Sequence, residues 1–164
     1  MSQRHVQRTA EIIQKVIYAT IATSSQDGQP WNSPVYSAFD QELNFYWTSD
    51  KEAQHSKNIR SNHRIFLVIY DSTAPEGTGE GVYIQAEGTE LTGKEEIIVA
   101  RTVTQVKKGK NPETDAYVKF TGDNIRRIYK AKPLKIWMND DEKDADGNYV
   151  KDIRVEIPLT ELKS

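Results

Sequence analysis

The feature that most constrains this chain is how little sequence separates its first three strand-like runs. Residues 18–24, 31–39 and 43–48 read as strands, the last with Leu43, Phe45 and Trp47 alternating against Asn44, Tyr46 and Thr48. The turn signal Gln26-Asp27-Gly28-Gln29-Pro30 separates the first two, and Phe39-Asp40-Gln41-Glu42 leads directly into the third. A parallel crossover needs about a dozen residues or more. These runs are therefore predicted to pair antiparallel, the second and third as a hairpin. Pro34 cannot donate to a ladder, which marks an edge, a bulge or a place where a ligand replaces a neighbouring strand.

The other elements follow from period and punctuation. Val6, Ala10, Ile13 and Ile17 stand at helical spacing, predicting an amphipathic helix over 3–17. A helix over 52–61 precedes the run 65–70, apolar on both faces as a buried central strand should be. The Gly-, Thr- and Pro-rich loop 71–80 precedes a strand over 82–91, with Val82, Ile84 and Ala86 on one side, and then a helix over 94–107. Tyr117, Phe120, Ile125, Ile128 and Tyr129 predict shorter helices, and 134–138 and 149–157 a last strand pair joined by an acidic 140–147 loop. With 164 residues, no repeat and no linker, the expectation is one domain over 1–164. Its class is α+β, a small antiparallel barrel with flanking helices.

Composition excludes several kinds of function. The longest apolar run, 65–70, is too short to cross a bilayer, and the first residues lack the apolar centre of a secretion signal. A cytoplasmic protein without membrane partners is the expectation. The absence of cysteine removes disulfides, thiolate metal sites and cysteine nucleophiles. A formal net charge of -2 gives no reason to expect a nucleic-acid partner. His5, His55 and His63 have no metal-ligand spacing, so no metal site is predicted, and no Gly-x-Ser-x-Gly elbow occurs. Gly77-Thr78-Gly79-Glu80-Gly81 precedes a strand where a dinucleotide fingerprint would precede a helix. Around Gly147 the acidic run would put Ile153 where a calcium loop needs its bidentate Glu.

Residues 45–62 are different: they pass from strand to helix across a polar hinge. Ser49 or Asp50 offers a cap, and an anion at the helix start would meet unpaired N–H groups, with Ser49, Lys51, His55, Ser56 and Lys57 as further donors. Trp47, Thr48 and the irregular Ser33-Pro34-Val35 segment could supply the apolar faces and edge donors that a flat heteroaromatic ligand needs. Lys107, Lys108 and Lys110 read as a solvated loop able to guide an anionic substrate.

The pattern Gly28-x-Pro30-Trp31-x-x-Pro34-Val35, followed by Phe45-Tyr46-Trp47-Thr48-Ser49, His55-Ser56-Lys57-Asn58-Ile59 and Gly81-Val82-Tyr83-Ile84, resembles the pyridoxamine 5'-phosphate oxidase-like family of FMN-binding split barrels. The resemblance implies an antiparallel split β-barrel with flanking helices, and a homodimer with two FMN sites between subunits. It implies that Ser33, Pro34, Val35 and Tyr36, with Trp47, Thr48 and Ser49, line the isoalloxazine, while His55, Ser56 and Lys57 hold the phosphate. Gln54 and His55 stand where the true oxidases carry an Arg-Lys pair, and Trp137 and Arg154 correspond to a C-terminal Trp and Arg that approach flavin or substrate. The weaker cationic set makes phosphate affinity more dependent on pH and backbone donors. It argues against pyridoxamine phosphate as the substrate. The leading expectation is an FMN-dependent oxidoreductase acting with a small-molecule substrate or electron donor. The alternatives are a non-enzymatic flavin-binding protein and a haem-binding member of the same fold.

Overall fold

The computed structural model describes residues 2–113 and 115–163. Helix α1 (Gln3–Lys15) buries Val6, Thr9, Ile12 and Ile13 along one face. At its start the Ser2 N–H donates to His5 Nδ1 at 3.1 Å, leaving Nε2–H to donate to Asp140 at 2.6 Å and tie the helix to a distant strand. That bond from His5 holds the Asp140 carboxyl below its ordinary range. The chain then forms β1 (Tyr18–Ser24), β2 (Pro30–Tyr36), β3 (Ala38–Phe39), β4 (Phe45–Asp50), α2 (Gln54–Ser61), β5 (Arg64–Tyr70) and β6 (Gly81–Glu90). Helices α3 (Lys94–Lys107) and α4 (Ala116–Lys119), strands β7 (Arg126–Lys143) and β8 (Tyr149–Ile157) and a 3-10 turn at Leu159–Glu161 complete it. No helix among the described residues is long and apolar enough to cross a membrane.

All strand pairs are antiparallel, in the order β2-β1-β5-β6-β7-β4-β3. The 18-residue β7 decides the architecture. One of its edges follows β6, from Glu90↔Tyr129 to Val82↔Met138. The other is shared, by β4 from Asp50↔Arg126 to Phe45↔Ala131 and by β8 from Ile136↔Ile157 onward. The sheet therefore curls and divides, and β2 and β4 come near one another with no ladder between them. This is the expected α+β split barrel. Inward residues such as Ile21, Leu67, Ile84, Ile136, Trp47 and Tyr129 fill it, while Tyr46, Leu91, Ile97, Ala100, Phe120 and Ile128 form a second cluster under α3 and α4.

Several sequence readings are corrected. The first helix stops at Lys15, and Ile17 lies 49% exposed instead of extending its apolar face. The run 31–39 breaks at Ser37: its larger part pairs with β1, and the predicted hairpin survives as Ala38↔Tyr46 and Phe39↔Phe45 alone. Leu43 lies in the turn before β4 at φ 63. Strand β5 alternates, with Ile65, Leu67 and Ile69 buried and Phe66 and Val68 half-covered on the other face. Residues 126–129, read as helical, begin β7, and residues 140–143, read as loop, end it. The remaining turn is closed by the Asp144 carboxylate, which accepts the N–H groups of Asp146 and Asn148 at 3.0 and 2.8 Å.

Candidate functional site

Helix α2 sits over the opening between β2 and β4. Its composition explains this: His55, Ser56, Asn58 and Ile59 are buried and Gln54, Lys57 and Arg60 exposed, so the inner face is mostly polar and needs hydrogen-bond partners. Asn58 Nδ2 donates to Thr23 Oγ1 at 3.0 Å, and Asn62 Nδ2, just past the helix, to Ser24 Oγ at 3.0 Å. On the other side Arg60 donates to Glu90 at 2.9 Å and to the Lys51 carbonyl at 2.7 Å. Glu90 also accepts from the Tyr129 hydroxyl at 3.0 Å, and burial, opposed by a bond from Ser56, pushes that phenol up to about 12.

His55 spans the unpaired strands. Its Nδ1 lies 3.2 Å from Ser33 Oγ on β2, and its Nε2 lies 2.9 Å from Ser49 Oγ on β4. Trp31 Nε1–H donates to Ser33 Oγ at 3.1 Å, extending the chain to the surface. Burial holds the His55 pKa below its ordinary value. The ring is therefore neutral at neutral pH, donating to one serine and accepting from the other. It acts as a polar connector where the sequence suggested a cation.

The helix start differs from the sequence reading. Ser49 and Asp50 are the last residues of β4, and the N-cap is Ala53, which has no side chain able to cap. Asp50 Oδ1 accepts the Glu52 N–H at 2.7 Å instead, and the Asp50 carbonyl accepts from Ser56 Oγ at 2.7 Å. The backbone N–H groups of Gln54, His55 and Ser56 meet no acceptor among the described residues. A helix start of this kind offers an anion both donors and dipole.

The structure thus brings Ser33, Ser49, His55 and Ser56 together. Thr48 lies beside them on β4, half-covered, and Pro34 is exposed on the free edge of β2, as a residue without an N–H must be. Lys57 is exposed and pairs with Glu52 at 3.5 Å. Val35 and Trp47 belong to the barrel interior. The Trp47 ring is 0% exposed, stacked on Tyr129 at 5.6 Å between centroids, with its N–H lacking a partner among the described residues. As a ring lining an open ligand face it is corrected, because strand alternation turns it inward. Trp137 and Arg154 are elsewhere, on the outer face of the sheet. Trp137 stacks on Phe66 at 6.3 Å, and the Arg154 guanidinium lies 4.0 Å from the centroid of Tyr83. Trp31, Thr23 and Asn58 were missed as members of the polar seam. For Trp31 the signal was its i, i+2 relation to Ser33 on one strand face.

The sequence profile described as Pyridoxamine 5'-phosphate oxidase matches residues 6–129. No curated protein matches the chain. A solved protein of unknown function from Agrobacterium tumefaciens aligns at 15% identity and TM-score 0.65, over 92% of this chain and 60% of its own length. One described as a putative 5-nitroimidazole antibiotic resistance protein from Bacteroides thetaiotaomicron aligns at 13% and 0.65, over 80% and 81%. A heme binding protein from Mycobacterium smegmatis aligns at 15% and 0.62, over 94% and 60%. The chain thus spans three fifths of the first and third of these, and the likeness to all three is one of fold.

Proposed function

The chain belongs to the pyridoxamine 5'-phosphate oxidase family, and on that premise we propose that it is a homodimeric FMN-binding oxidoreductase acting on a small molecule. The observation that carries this reading is the set of three unclaimed N–H groups at the start of α2, beside the His55 seam between β2 and β4. A phosphate monoester suits those donors: backbone N–H groups take most of its charge, His55 and Ser56 add polar contacts by exchanging their present partners Ser33, Ser49 and the Asp50 carbonyl for it, and Lys57 adds a screened charge at the rim. Ser33, Pro34 and Val35 offer the backbone of a free strand edge to the ring system, with Thr48 and Ser49 opposite. Trp47 acts from inside, by fixing β4 through its stack on Tyr129. Trp137 and Arg154 lie on the outer sheet face, which we assign to the dimer-facing side of the same site.

A bound flavin would supply the hydride and electron chemistry, leaving position and electrostatics to the chain. The neutral seam suits that division. Donors held by β2, β4 and α2 orient a ligand without an acid or base of their own. No side chain is assigned a proton-transfer role.

A second reading, haem binding, is favoured by His63. Its Nδ1 lies 3.2 Å from the Gly88 carbonyl, so Nδ1 carries the proton and Nε2, without a partner among the described residues, is able to ligate a metal. The fold likeness to a heme binding protein points the same way.

Titrating purified protein with FMN, FAD and riboflavin tests the first reading, with FMN expected to bind tightest; equal affinity for riboflavin removes the phosphate site. A Soret band in place of flavin absorption selects haem. Turnover of a reduced nicotinamide with an acceptor separates an enzyme from a flavin-storage protein.

A further inference from the structure

A groove of about 660 Å³, within the size range of small-molecule sites, opens between α1, the β3–β4 turn and α3. It contains none of Ser33, Ser49 and His55. Its walls are mainly apolar, from Phe39, Val103 and Val106, the last 64% exposed to solvent. Its charges are unevenly matched. The Asp40 carboxylate accepts from the Asn44 N–H and Nδ2 at 2.9 Å each and from the Tyr46 hydroxyl at 2.8 Å, and Glu42 pairs with Lys163 at 2.7 Å. Both acids are therefore already engaged, Glu42 by a cation and Asp40 by neutral donors that leave its charge in place.

Lys107 is not. Its ammonium lies 5.7 Å from the Phe39 centroid and 6.0 Å from that of Tyr36, and no carboxylate among the described residues pairs with it. Burial lowers its pKa, so its charge is partly desolvated and gains more than an exposed lysine would from an anion. Lys108, 4.6 Å from the centroid of the same Tyr36 ring, adds positive potential near Lys107. One inner ammonium beside an apolar wall matches a single negative charge. A phosphate dianion would call for more donors.

We propose that this groove binds a small amphipathic carboxylate, its head on Lys107 and its hydrocarbon body along Phe39, Val103 and Val106. The aromatic wall accepts either an alkyl chain or an aryl ring, and the test separates them.

Flavin-free, full-length protein is titrated calorimetrically with decanoate and 1-naphthoate, and with decanol and 1-naphthalenemethanol as neutral counterparts. Because the groove shares no residue with the His55 seam, the result is independent of whether FMN binds. At least one carboxylate should saturate one site per chain and bind at least about tenfold tighter than its alcohol, the factor expected of a charge-assisted contact. Decanoate alone assigns an alkyl body, and naphthoate alone an aryl one. Lys107→Met should remove the preference for the carboxylate while leaving the alcohol's binding unchanged, and Lys107→Arg should restore it. Equal binding of acid and alcohol, an unchanged preference in Lys107→Met, or no binding of either carboxylate overturns the proposal.

Discussion

His55 shows how burial changes what a residue type can do. A histidine beside a helix start reads as a cation, yet this ring is enclosed between two serines and stays neutral. Its worth to a phosphate is then one hydrogen bond to a charged acceptor, about 1.5–3 kcal/mol, made only if its single N–H leaves the serine it now meets. Replacing His55 with Ala is expected to weaken FMN by about tenfold or more and riboflavin much less, measured by fluorescence titration. Lys57→Ala should do less, since that ammonium is exposed and already faces Glu52. Equal losses for both ligands in His55→Ala would mean that the residue supports the fold alone. The pH dependence has a definite sign. The unfolded histidine titrates near its ordinary value of 6.5 and the folded one lower, so on acidification the unfolded state gains its proton first. The His55 share of stability falls as pH drops below about 6.5 and levels off beneath the lowered folded value. Urea midpoints at about pH 7.5 and 5.5 should therefore converge more in His55→Asn than in the native protein.

At the level of elements, the β3–β4 turn sets strain against burial. Leu43 is 4% exposed and packs into the barrel core, yet it holds φ 63, which favours glycine. The left-handed conformation costs about 1–2 kcal/mol, whereas truncating a buried Leu to Ala costs about 2–5 kcal/mol. Burial wins, and the residue stays leucine. Leu43→Ala loses the packing and keeps the strain, while Leu43→Gly loses the packing and relieves the strain. Both variants should be destabilised, with Gly the milder by about 1 kcal/mol despite its smaller side chain, as chemical denaturation would report. A larger loss in Leu43→Gly would show that the turn relaxes around alanine. Helix α2 is the contrasting element: its polar inner face depends on Thr23, Ser33 and Ser49, contributed by three different strands.

For the whole molecule, the outer sheet face presents the Phe66–Trp137 stack and the Arg154–Tyr83 pair, and Tyr18, Trp31 and Tyr70 lie 57%, 49% and 48% exposed. That aromatic surface supports the homodimer proposed above. Obligate interfaces often bury more than ~2,000 Å² in total, so the FMN-loaded protein should sediment as a dimer at micromolar concentration, with flavin occupancy rising as protein concentration rises. A monomer that keeps its flavin would remove the shared site. Much of the fold was legible beforehand where structure is local. Tyr18–Ser24, Lys94–Lys107 and Tyr149–Ile157 match the sequence limits, and the helix after β4 was found with its start two residues early. The front of β7 was not legible, because Ile128 faces the cluster under α3 while Tyr129 faces the barrel. Burial on both sides erased the alternation, and spacings of three residues passed for a helix. Antiparallel pairing and the passage from strand to helix over 45–62 follow from the chain's local pattern, since short connections and side-chain period act between near neighbours. That Trp47 turns inward, that β7 is shared between β4 and β8, and that His55 is a neutral bridge emerge with the packed fold. Each of these depends on partners many residues away, whose approach sets the burial and hydrogen bonding that the local pattern leaves open.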